Sequence, residues 1–185
     1  MVLLHTPKGE LGAMASDFSL MGVDDKQHSL ADYNNSKVLV VMFICNHCPY
    51  VQAIEQRLIK LASEFTITDV AFVGINSNDT VRYSEDNLEN MKKRAAEKNY
   101  PFDYLIDEDQ SVAKAYGAVC TPDIYVFNEK RELTYRGRLD DSPRNPSAVK
   151  SEDLKNAILA TLAGNSVASP QHASMGCSIK WKSNS

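Results

Sequence analysis

No run of apolar residues in this 185-residue sequence approaches the roughly 18 needed for a membrane helix. The opening stretch, MVLLHTPKGELGAMAS, has no basic segment, and its apolar run, MVLL, is four residues long. A secretory leader is therefore not expected, and neither is a membrane partner. Basic residues do not cluster, and 20 Lys and Arg against 24 Asp and Glu leave a net charge of −4. That balance argues against nucleic acid as a partner. There is no internal repeat and no low-complexity linker. Cysteine is sparse, with four in the chain. In the cytoplasmic setting expected here, thiols stay reduced, and a domain of this size needs no disulfide framework. The four cysteines are thus expected as buried small residues, metal ligands or redox catalysts.

The remaining pattern is that of an α/β protein. Seven consecutive apolar residues, Val38 to Ile44, predict a strand buried on both faces. Val70 to Ile75 and Ile124 to Phe127 predict two more, and the alternation over Leu133 to Leu139 predicts an outer antiparallel strand. Val51, Ile54, Leu58, Leu61 and Phe65 fall on one face of an amphipathic helix. A charged helix is expected over about Glu85 to Lys98, and a short one from Asp109 to Gly117. Ser151 is placed to cap a last helix that faces Leu154, Ala157, Ile158 and Leu162 inward and ends at Gly164. Two short strands around Gly22 to Lys26 form an N-terminal β extension. Strands alternating with helices predict a three-layer sandwich around a central mixed, mostly parallel β-sheet. Residues 1–164 form the domain, and 165–185 form a tail that either trails or docks on it.

The chemistry concentrates in FICNHCPYVQAIE, residues 43–55. Cys45 follows the central strand and a helix starts at once, which puts Cys45 near the helix N-cap and Cys48 in the first turn. Unpaired N–H groups and the positive helix end favour a thiolate there, the attacking species in disulfide exchange. Pro49 suits the start of a helix. His47, if protonated, would lower the thiol pKa further and raise the reduction potential. A zinc knuckle needs a second close pair of ligands, and Cys120 and Cys177 stand alone, so no metal is expected. Two idle buried thiols are the other bland reading. Far along the chain, YGAVCTPDIYVF starts a central strand with Thr121–Pro122, a position where a sheet tolerates proline.

A buried strand, C-x-x-C at a helix start and T-P before a later strand together resemble the thioredoxin fold. DFSLMGVDDKQHSLADY and TPDIYVFNEKRELTYRGRLDD are similar to its peroxiredoxin-like branch, the AhpC/TSA and TlpA-type proteins. CNHCPYV and GCSIKWK carry the resemblance further, from about residue 12 to residue 182. The resemblance implies a thiol–disulfide oxidoreductase that exchanges disulfides of proteins or small molecules, fed by a thiol electron donor and requiring no cofactor. Cys45 would attack, Cys48 would resolve, and Thr121 and Pro122 would line the substrate groove. Some residues differ from the family pattern. Leu39 stands where thioredoxin has a buried aspartate, and Ile44 replaces the tryptophan before the first cysteine. With Cys48 in the peroxidatic position, Cys45 stands at the place of the peroxiredoxin threonine, and no arginine lies near Thr121 in sequence. Two alternatives stay open: a thiol peroxidase with Cys48 as peroxidatic cysteine, and a non-catalytic redox sensor. Cys120 and Cys177 are candidate auxiliary thiols, or simply a half-buried residue and a surface thiol. His5, His28, His172 and the RLDDSPRNP loop read as solvated. Tyr100, Phe102, Tyr104, Tyr116 and Tyr125 read as packing.

Overall fold

A computed structural model describes residues 3–65 and 69–183; the outer ends of the two expected spans, residues 1–2 and 184–185, lie outside them. In chain order the elements are β1 (Leu3–His5), β2 (Ser19–Gly22), β3 (Gln27–Ser29), β4 (Val38–Phe43), α1 (Pro49–Glu64), β5 (Val70–Asn76), α2 (Leu88–Lys98), β6 (Asp103–Ile106), α3 (Ser111–Tyr116), β7 (Cys120–Thr121), β8 (Asp123–Phe127), β9 (Leu133–Gly137), α4 (Asp153–Leu162) and β10 (Met175–Ser178). Seven strands form the main sheet in the order β3-β2-β6-β5-β4-β8-β9, and β1-β10-β7 form a second, small sheet. The main sheet is mixed rather than mostly parallel. Only β4–β5 and β5–β6 pair parallel, while β2–β3, β2–β6, β4–β8 and β8–β9 pair antiparallel. The reason lies in the connections: the parallel pairs are joined through α1 and α2, whereas β8 and β9 are a hairpin and β2–β3 another.

β4 is central, and every residue in it is buried. Its alternate side chains feed two cores. Val38, Val40 and Met42 pack with Leu58 of α1, Met91 of α2 and Leu154 and Ile158 of α4. Leu39, Val41 and Phe43 pack with Val112, Ala113 and Tyr116 of α3. Leu39, where a buried acid was absent from the sequence pattern, therefore faces the α3 side. Tyr104, Tyr116 and Tyr125 are buried as expected, and Tyr116 meets Phe43 and Tyr125 edge to face.

Several local expectations change. Four strands were not anticipated: β1, β6, β7 and β10 are two to four residues long, too short for an alternation to show. α2 starts at Leu88, because Asn87 accepts a hydrogen bond from the Asn90 amide as its cap; Ser84–Asp86 is a separate 3-10 turn. Glu152, not Ser151, precedes α4. His28 is half-buried and bonded to Asp24 at 3.0 Å. Asp140 in the supposed solvated loop is buried and accepts from Arg57.

Candidate active site

β4 delivers the chain to one end of the sheet, and residues 44–48 turn into α1. The helix starts at Pro49, and Cys48 is its N-cap with extended backbone angles of −72° and 118°. This moves the expected helix start by one turn. Pro49 has no N–H and a fixed φ, so it settles at the first helical position and pushes Cys45 out of the cap. Cys48 is therefore the sulfur at the positive end of a 16-residue helix.

The two thiols converge on Thr121. The Cys45 sulfur lies 3.4 Å from Thr121 Oγ1, and the Cys48 sulfur lies 3.2 Å from the Thr121 carbonyl oxygen. The Thr121–Pro122 bond is cis. Both cysteines are buried, at 2% and 0% exposure, and all four cysteines of the chain are thiols. The pair shares its protons unequally. A hydrogen bond from Cys45 lowers the Cys48 pKa, and burial opposes it; Thr121 and the backbone amides of Val51 and Cys177 lower it further. The Val51 amide does so without completing a capping hydrogen bond. Cys45 is pushed well up by its bond to Cys48, then by burial and by the Asp86 charge. As a thiol Cys48 donates to the Thr121 carbonyl, and as a thiolate it accepts from its neighbours. The helix start and these contacts favour a thiolate on Cys48, whereas the sequence pattern favoured one on Cys45.

Behind Cys45 sits a residue that the sequence did not single out. Asp86 is fully buried. It accepts from the amides of Asn46 and His47 at 2.8 and 3.2 Å, from His47 Nδ1 at 2.5 Å and from Asn78 Nδ2 at 2.8 Å. Burial alone would raise its pKa, but these donors, His47 foremost, hold it below the ordinary value. His47 is raised in turn by the Asp86 hydrogen bond, against burial. Its ring stacks on Tyr83 with centroids 5.2 Å apart, and its Nε2 is buried with no protein partner. Cys45 Sγ, a His47 ring nitrogen and an Asp86 oxygen lie within 4.8 Å of one another. That spacing also suits a metal ion, but Asp86 is already committed to four protein donors. No periodicity marks Asp86; only its place three residues after Tyr83, in a polar turn before α2, could have drawn notice.

The other expected residues separate. Thr121 was expected to line a substrate groove. Instead, β7 is already paired with the chain's own β10, in the register Cys177↔Thr121 and Ser178↔Cys120. Pro122 lines a cavity of about 200 Å³ with Tyr50, Ile54, Leu139 and Met175. Cys177 is in no flexible tail: it lies in β10, is 3% exposed and belongs to the same buried cluster as Cys48. Burial pushes its pKa up to about 11. Cys120 alternates with Thr121 along β7 and so points away from Cys45. Burial, aided by Asp123, pushes its pKa up to about 12, which keeps it protonated. An arginine does reach the strand that follows Thr121. Arg136 of β9 forks onto Asp123 at 2.7 and 3.2 Å and is spent on that buried carboxylate.

Comparison with known proteins places this geometry. The sequence profile described as the AhpC/TSA family matches residues 11–136. An uncharacterized conserved protein of Geobacillus kaustophilus is 46% identical, with a TM-score of 0.95 over 100% of this chain and 99% of its own. A hypothetical protein of Sinorhizobium meliloti is 40% identical, with a TM-score of 0.93 over 97% and 99%. The thioredoxin domain of a thiol-disulfide oxidoreductase from Bacteroides vulgatus is 16% identical, with a TM-score of 0.59 over 70% and 89%, a likeness of fold. Among curated proteins, none matches the chain.

Proposed function

The chain belongs to the AhpC/TSA family and has a thioredoxin-like fold, and from that premise we propose that it is a thiol–disulfide oxidoreductase working through Cys45 and Cys48. The observation that carries the proposal is the convergence of both sulfurs on Thr121, with the charge of the pair drawn to Cys48. The Cys48 thiolate attacks a substrate disulfide. A bond forms between Cys48 and one substrate sulfur, and the other sulfur leaves as a thiolate that takes a proton from solvent. Cys45 then loses its proton to the adjacent His47–Asp86 pair and attacks the Cys48 sulfur. The Cys45–Cys48 disulfide forms, and the second substrate sulfur leaves. Asp86 holds the His47 ring and so acts as a positioning residue, supplying the carboxylate that Leu39 does not. A thiol donor then reduces the pair, and the substrates are disulfides of proteins or small molecules. The order differs from the one implied by sequence resemblance, in which Cys45 attacks.

The test is insulin-disulfide reduction with dithiothreitol as donor. Cys48→Ser should abolish turnover. Cys45→Ser should stall as a mixed disulfide on Cys48, seen by mass spectrometry. Turnover that survives in both variants removes the dithiol mechanism. A mixed disulfide trapped on Cys45 in Cys48→Ser restores the opposite order.

Peroxide reduction by Cys48 is the second reading, favoured by the same low thiol pKa. Rapid hydrogen peroxide consumption, with Cys48 trapped as a sulfenic acid, would rank it first.

A further inference from the structure

Cys48 has two thiol neighbours, not one. Cys45 shares its turn, and Cys177 joins the same buried cluster from β10, 129 positions along the chain. Cys177 stands opposite Thr121 in the small sheet, and the carbonyl oxygen of that same Thr121 lies 3.2 Å from the Cys48 sulfur. Cys45, by contrast, has His47 and the buried Asp86 beside its sulfur, within 4.8 Å. Cys48 is thus the common neighbour of two thiols on different elements.

The position of Cys177 is tightly held. β10 pairs with β7 on one side and β1 on the other, with Cys177 opposite both Thr121 and Leu3. Gly176 lies so close to Thr121 that an added Cβ would stand 1.8 Å from its carbonyl oxygen. Past the strand, the Ile179 amide donates to the Val119 carbonyl at 2.9 Å, and the Lys180 amide donates to Asn78 Oδ1 at 2.8 Å. The Asp79 amide donates to the Lys180 carbonyl at 2.8 Å. Anchors on both sides of Cys177 hold its strand across the Thr121 that the Cys48 sulfur reaches.

We propose that Cys177 is a third exchanging thiol, so that Cys48 alternates between two disulfides, Cys45–Cys48 and Cys48–Cys177. This rests on the dithiol reading of Cys45 and Cys48. In the step, the Cys177 thiol gives up its proton and attacks the Cys48 sulfur of the Cys45–Cys48 bond. A Cys48–Cys177 bond forms, and Cys45 leaves and takes up a proton. One disulfide replaces another, with no net oxidation and no external reagent. The oxidising equivalent moves from the inner face of the turn to the strand that covers it.

Tryptic mapping of the oxidised full chain tests this directly. No Lys or Arg lies between Lys37 and Arg57, so Cys45 and Cys48 share one peptide. Cys177 lies in another, between Lys155 and Lys180, and Cys120 in a third. After treatment with diamide, wild type should yield both the internal 45–48 bond and a cross-link to the Cys177 peptide. Cys45→Ser should give the cross-link almost completely, and Cys177→Ser only the internal bond. Cys48→Ser should lose both. Absence of the intrachain cross-link in Cys45→Ser, or its persistence in Cys48→Ser, overturns the proposal. In either case insulin turnover and the 45–48 bond of wild type report separately on the dithiol reading. A chain that forms no 45–48 bond and has no turnover refutes that reading instead.

Discussion

Gly176→Ala isolates the covering strand without touching a thiol. The added Cβ would lie 1.8 Å from the Thr121 oxygen and 2.6 Å from the Thr121 carbonyl carbon. Real contacts of a Cβ stay beyond about 3.0 Å, so the strand must retreat by about 1.2 Å (3.0 − 1.8) or the Thr121 backbone must give way. The obstacle is main chain, held by the sheet on one side and Pro122 on the other, and no side-chain rotation relieves it. Overpacking of this kind costs about 1–3 kcal/mol. If the strain is released when β10 lifts from β7, the opening equilibrium shifts by the same amount, roughly 5- to 150-fold. The assay is the alkylation rate of Cys48 and Cys177 under native conditions, resolved by peptide, with Cys120 as the buried reference. We expect Cys48 and Cys177 to accelerate together by that factor while Cys120 stays slow. Equal acceleration of all three would mean global destabilisation. Unchanged rates would mean that β10 does not control access to Cys48.

Two other predictions concern the groups behind the thiols. Asp86→Asn removes the carboxylate that holds His47, at a cost of about 1.5–3 kcal/mol for the charged hydrogen bonds, and the sign of its pH dependence follows from the shifts. The lowered Asp86 pKa stabilises the fold above about pH 4 and loses that effect as pH falls through the folded value, while the raised His47 pKa stabilises it below about pH 6.5 and loses that effect as pH rises through the folded value. Urea unfolding at acidic, intermediate and alkaline pH should therefore show the largest wild-type advantage in the middle window, and an NMR titration should find His47 above its ordinary pKa in wild type but not in the variant. Cys45→Ala removes the foremost donor to Cys48, so the thiolate absorbance at 240 nm should titrate about one to two pH units higher than in wild type; an unchanged midpoint would place the charge elsewhere.

The parts of the fold legible in sequence were those with a long repeating signature. Val38 to Ile44 and the Val51–Phe65 face supplied enough apolar period to define β4 and α1, the two elements that frame Cys45 and Cys48. The small sheet was not legible. Its register depends on Gly176 fitting against Thr121, a contact across 55 positions with no local pattern. The same holds for Asp86, whose burial is set by donors from two loops rather than by its neighbours in sequence. The N-cap was misread for a different reason. C-x-x-C was read as the helix start because it directly follows the central strand, but the fixed φ of Pro49 decides where the first helical residue falls.

The β1–β10–β7 sheet joins Leu3 to Cys177 and Cys177 to Thr121. Contacts so distant in sequence form late, because the loop they close must be ordered first. During synthesis, β4, α1, β7 and β8 are all made before residues 175–178 exist. A nascent chain would therefore hold a formed but uncovered dithiol, and the third sulfur would arrive only at the end. A truncation upstream of Cys177 should therefore leave Cys45 and Cys48 without their covering strand.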